Sequence, residues 1–193
     1  MKKFLYNPFE NYSEKKLVLI GIVGNLVLVG LSYTLNTKFI GNLKTIAQNN
    51  IEFYQVIIQH LIILIATTTM LLLIGKYLNS KTRFIDILAT TLVSRIAFCL
   101  IPIVNINHKM FQISQKILST FKTDQPEISI GNDLPYFIMS VLIILLSIVW
   151  FLVLLYNGFK TATNAKDVKT LFLFIATIIL IEILSQILIF KLM

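Results

Sequence analysis

One cysteine, four prolines, seven glycines and few charges are spread over 193 residues, and each scarcity removes a class of function. Cys99 stands alone inside an apolar run, which excludes an internal disulfide, a CxxC redox pair and a cysteine zinc cluster. It is read as a small packing residue. Charged residues make up 13% of the chain, about half of what a soluble domain carries, and mean hydropathy is +0.82. No HExxH or comparable metal spacing is present. There is no serine with a base, no paired catalytic carboxylates and no glycine-rich phosphate loop. No enzymatic activity, metal or cofactor is therefore expected. His60 and His108 lie far apart in sequence and are read as interfacial packing residues. The net charge of +8 is not a nucleic-acid signature, because basic and aromatic residues do not interleave and the charges fall in short segments between apolar runs.

What remains is apolar sequence, 56% of the chain, arranged in runs long enough to cross a bilayer. The fold class is an all-α, polytopic membrane protein, a five-transmembrane-helix bundle. Residues 1–16 form a cytoplasmic or interfacial segment in which Phe4, Leu5, Tyr6, Phe9 and Tyr12 alternate with lysines. Residues 17–193 form the membrane domain, with spans at about 17–35, 56–74, 84–104, 136–156 and 171–190. The first span follows basic residues as a signal peptide does, but it is long enough to span and no small-x-small cleavage site follows, so it is read as a retained anchor.

Between the first two spans, Phe39, Ile40, Leu43, Ile46 and Ala47 recur at helix-like intervals, which predicts a short interfacial helix or an extension of the second span. An amphipathic outer segment is predicted over 108–121, with Met110, Ile113, Ile117 and Phe121 on one stripe and Lys109 and Lys116 off it. Pro102 should kink or stop the third span. Asp86 should answer Arg83 or Lys81 at the start of that span.

Orientation follows from the lysines and arginines. The first segment carries four, and the turns after spans two and four carry three each, so ten basic residues face six on the other side. The N-terminus is placed in the cytoplasm and the C-terminus opposite, in a cell (cytoplasmic) membrane. Asn11, Tyr12 and Ser13 match a glycosylation acceptor but fall on the cytoplasmic side.

Two ionisable residues interrupt the spans. Arg95 and Glu182 each lie 11 residues after the predicted start of a span that rises from the cytoplasmic face, about 17 Å into the membrane. Isolated charges at that depth are costly, so the two are predicted to pair, with Asn25 and Gln186 as supporting polar groups. The pair is read as structural, fixing the register of spans three and five. The alternative is a substrate or proton site in a small transporter, which requires a water-filled cavity containing Arg95 or Glu182.

The order of short motifs resembles the bacterial branch of the Yip1 domain family: Asn7, Pro8 and Phe9 before the first span, Gly75 and Lys76 after the second, Pro102 closing the third, and Tyr156, Asn157, Gly158, Phe159 and Lys160 after the fourth. The resemblance covers nearly the whole chain and implies five spans with a cytoplasmic N-terminus. Eukaryotic relatives bind prenylated Rab GTPases and shape or sort vesicle membrane. Their Asp-Leu-Tyr-Gly-Pro stretch is missing here and the first segment is short, so a Rab-type GTPase partner is not expected. The expected role is a membrane scaffold or organiser whose partners are membrane lipid, another membrane protein or a second copy of itself, with no nucleic acid.

Overall fold

The computed structural model describes residues 6–122, 131–165 and 167–192. Phe4, Leu5 and the side chain of Phe121, which the sequence places at the interface, lie outside these residues. Five helical segments are long and apolar enough to span a membrane. They are α1 (Glu14–Thr34), α2 (Phe53–Leu78), a third span that opens with α3 (Phe84–Ser94), α5 (Leu134–Thr163) and α6 (Val168–Leu192); α4 (Lys109–Lys122) lies between the third and fourth. All five predicted spans are present. Several run beyond the apolar windows, as in α2 through Lys76 and α5 through Lys160, because backbone hydrogen bonding continues where hydropathy stops.

The third span is the centre of the bundle. It is 72% buried over its apolar window, against 22–33% for the other four. α3 packs principally against α1 and α5, and α6 packs principally against α2. Close approach of α1 to α3 depends on Gly21, where a Cβ would come within 2.6 Å of Leu92 Cβ and 3.1 Å of its carbonyl carbon. Phe98 stacks on Phe151 at 4.4 Å and meets Phe39 at 5.9 Å, extending the core outward from α5.

The third span departs from a regular helix earlier than Pro102. The α-helix ends at Ser94, and 3-10 geometry follows over Arg95–Leu100 and Pro102–His108. Thr90, Thr91 and Ser94 turn their hydroxyls back onto the carbonyls of Asp86, Ile87 and Thr91, which loosens the ladder before the proline removes a donor from it. The chain leaves helical geometry at Asn105, Ile106 and Asn107. Asn105 then ties three segments together. Its amide donates to Leu35 O at 2.7 Å, and its Oδ1 accepts the Phe111 N–H of α4 at 3.0 Å.

α4 is the amphipathic segment that the sequence predicts. Ile113 is fully buried, while Lys109 and Lys116 reach back to Asp133 at 2.6 and 2.5 Å.

The connection between α1 and α2 is not the predicted helix. It is a two-stranded antiparallel hairpin, β1 (Thr37–Phe39) and β2 (Thr45–Ala47), in which Thr37 faces Ala47, Lys38 faces Ile46 and Phe39 faces Thr45. Asn36, at φ 50°, turns the chain out of α1, and β-branched Thr37, Thr45 and Ile46 favour the pleat. The hairpin dips into the bundle. Thr37 and Phe39 face the core and are buried, and Asn42 at the tip is buried beside Thr67. Thr67 lies 14 residues into α2, about 21 Å from its start. Backbone that is not helical is tolerated at such depth when protein satisfies its polar groups. Here Ile40 N–H bonds Lys44 O, Gln48 N–H bonds Asn36 O, and Leu43 N–H bonds Glu182.

Candidate functional site

Arg95 sits where α3 gives way to 3-10 geometry and has no solvent exposure. Its Nε donates to Asn25 Oδ1 at 3.1 Å and its Nη2 lies 2.6 Å from His60 Nδ1. A guanidinium can only donate, so His60 accepts at Nδ1 and carries its proton on Nε2, which lies 3.2 Å from Ser32 Oγ and donates to it. Nη1 has no hydrogen-bond partner. The carbonyl end of α3 adds partial negative charge beside the cation. Asn25 is itself fixed, since its amide donates to both Gly21 O and Leu92 O at 2.8 Å. Its place beneath Arg95 is thus set by the α1–α3 packing.

Glu182 stands apart from this cluster. Its Oε2 accepts the Leu43 N–H at 2.7 Å and its Oε1 accepts Gln186 Nε2 at 2.7 Å. A Cβ at Gly41 would collide with Oε1, so the hairpin tip reaches the carboxylate only because that residue is glycine. The predicted Arg95–Glu182 ion pair is not formed. Depth along two helices says nothing about the direction in which each side chain faces. α3 turns Arg95 toward α1 and α2, while α6 turns Glu182 toward the hairpin. The two supporting groups do assist the residues expected, Asn25 serving Arg95 and Gln186 serving Glu182. His60 is not an interfacial packing residue but the second partner of Arg95. The signal that could have found it is its place inside a span: seven residues into α2, about 10 Å from that end, an imidazole needs a polar partner from the bundle.

The motifs at the amino-terminal end of the bundle form a second constellation. Asn157 donates to Tyr6 O at 2.7 Å, and a Cβ on Gly158 would lie 2.5 Å from Thr90 Cγ2 and 2.9 Å from Phe9. Gly75 O accepts the Thr82 hydroxyl at 2.9 Å, and Gly75 packs beside Phe159 and Thr163. Arg83 bonds Asp86 at 3.0 and 2.9 Å, as the sequence suggests, and also Glu14. Side-chain hydrogen bonds from Asp86 and then Glu14 raise the Arg83 pKa above the ordinary guanidinium value. A cavity of about 260 Å³ opens here, lined among others by Phe9, Arg83, Asp86, Thr90 and Gly158.

Neither Arg95 nor Glu182 lines this cavity, the groove of about 750 Å³ between the hairpin and α6, or the two clefts beside Asn164. Among the described residues no three His, Cys, Asp or Glu side chains converge. Cys99 is a packing residue whose thiol faces Gly24 O at 3.7 Å.

The chain has no significant match among curated proteins or solved structures. The model of the Yip1 domain, however, matches residues 14–190. That match spans every membrane helix and both the Arg95 and Glu182 sites, and the chain belongs to the Yip1 domain family.

Proposed function

We propose that this multi-pass Yip1-domain protein is a non-enzymatic scaffold of a bacterial cytoplasmic membrane, with its N-terminus in the cytoplasm, organising lipid or protein partners. The observation that carries the reading is the complete burial of Arg95. Its exposure is zero, and its two hydrogen bonds both go to helices of the bundle. A cation held this way fixes how three helices assemble. A transporter needs the opposite arrangement, a polar group facing a wet cavity at mid-membrane. The asymmetry of lysines and arginines supports the orientation.

The test is chemical crosslinking in native membranes followed by affinity capture, run beside solute and proton flux in proteoliposomes. A scaffold yields a reproducible crosslinked partner or self-association and no flux. Flux that Arg95→Gln abolishes while helix content is retained overturns the reading in favour of a transporter. Single-cysteine labelling on a Cys99→Ser background tests orientation, with Tyr12→Cys expected to react from the cytoplasmic side and Lys109→Cys from the other.

A further inference from the structure

The groove between the hairpin and the last turns of α6 carries three lysines and no acidic lining residue. Lys38 comes from β1, Lys44 from the turn before β2, and Lys191 from the end of α6, and all three line one space of about 750 Å³. Strand alternation explains the first. With Thr37 and Phe39 facing the core, Lys38 and Ile40 must face outward onto α6. The opposite wall is apolar, built from Ile187, Ile189 and Phe190, and Phe190 is 89% exposed. None of the three ammonium groups has a hydrogen bond or ion pair to protein among the described residues. Glu182 lies nearby, accepting from Leu43 N–H and Gln186, but it does not line the groove.

Depth makes this charge conspicuous. Lys44 follows the residue whose amide bonds Glu182, and Glu182 lies ten residues before the end of α6, about 15 Å along the helix. A lysine anchored so far below the rim must run its stem up the groove to bring its ammonium to the interface. That motion carries its charge toward Lys38 and Lys191, which lie nearer the rim. Three ammonium groups above an apolar wall, with no acidic residue in the lining, match one ligand chemistry, an anionic headgroup attached to an acyl chain.

The geometry points to a binding site for an anionic phospholipid, its phosphate held by Lys38, Lys44 and Lys191 and a chain laid along Ile187 and Phe190. This deepens the scaffold reading by naming the lipid class and the face that holds it, and it rests on that reading for its role. The occupancy itself is measured separately, so loss of crosslinked partners with the lipid site intact would refute the scaffold alone.

The experiment is native mass spectrometry of the full chain in mixed micelles with phosphatidylglycerol and phosphatidylcholine at equal concentrations. The expected result is preferential phosphatidylglycerol binding that falls by about fivefold for each lysine replaced by Gln, and vanishes in the triple variant Lys38→Gln, Lys44→Gln, Lys191→Gln. The control Lys15→Gln, Lys16→Gln at the other end keeps the preference. Equal binding of the two lipids, or a triple variant that keeps the preference, overturns the assignment. So does displacement of phosphatidylglycerol by inorganic phosphate alone, which marks a soluble-anion site. If circular dichroism shows the triple variant unfolded, the single variants Lys38→Gln and Lys191→Gln replace it: weakened binding in each supports the site, and an undiminished preference in both overturns it.

Discussion

Nη2 of Arg95 lies 2.6 Å from Nδ1 of His60, so the cation at the centre of the bundle is answered by a neutral ring and not by a carboxylate. The arrangement avoids desolvating a second charge, and it makes each acceptor around the guanidinium hard to replace.

His60→Ala leaves Nη2 without a partner beside an already unpartnered Nη1, and should cost about 3 kcal/mol. His60→Gln should recover much of that, because its carboxamide accepts from Arg95 and donates to Ser32. Arg95→Lys should lose stability despite keeping the charge, since an ammonium cannot span Asn25 and His60 as the guanidinium fork does. Reversible unfolding by SDS in mixed micelles measures all three. Equal stability of His60→Ala and wild type would refute the assignment.

Glu182 makes a contrasting case. Its bond to the Leu43 amide needs an acceptor but not a charge, so Glu182→Gln should cost no more than about 1 kcal/mol, and Glu182→Leu about 2 kcal/mol or more. Amide exchange at Leu43 should quicken in the leucine variant and stay near wild type in the glutamine variant. A loss of about 3 to 5 kcal/mol in Glu182→Gln is what a buried ion pair with Arg95 requires, and finding it would restore that pairing.

The glycines divide by what faces them. Gly21→Ala and Gly158→Ala should each destabilise by about 1–3 kcal/mol, because a Cβ at either meets Leu92 or Thr90 within 2.6 Å. Gly30→Ala meets nothing within 4 Å and should be neutral or slightly stabilising. Thermal unfolding of the three variants in one detergent decides this, and a Gly30→Ala as damaging as Gly21→Ala refutes the packing account.

Asp133→Asn removes the carboxylate that Lys109 and Lys116 share. The amides of α4 should then exchange faster while those in the middle of α5 stay protected. High salt should produce the same change in the unsubstituted protein. α4 should remain docked through buried Ile113 and the Asn105–Phe111 bond, so its complete detachment in Asp133→Asn would contradict the structure.

The five spans were legible because bilayer thickness and hydropathy alone dictate them, and the stripe of Ile113 and Ile117 made α4 readable by its period. Arg83 with Asp86 was legible because the two are neighbours on one turn. The Arg95 site was legible only in depth. Asn25 could be matched to it by depth, but the rotation of α6 relative to α3 is set by tertiary packing and leaves no local trace. The hairpin was missed because Phe39, Leu43, Ile46 and Ala47 also satisfy a helical period. What separates the two readings is a hydrogen bond from Leu43 to a residue 139 positions away. Sequence windows do not contain that information.

That separation also orders the assembly of the protein. The hairpin lies between α1 and α2, which leave the ribosome before α6, yet the carboxylate that receives its tip belongs to α6. Until α6 is inserted, the Leu43 amide has no acceptor there, and only the contacts of Phe39 and Asn42 hold the hairpin against the earlier helices. The Leu43 amide is therefore satisfied late although it is made early, and in a chain cut short before Glu182 that amide should exchange faster than in the full chain.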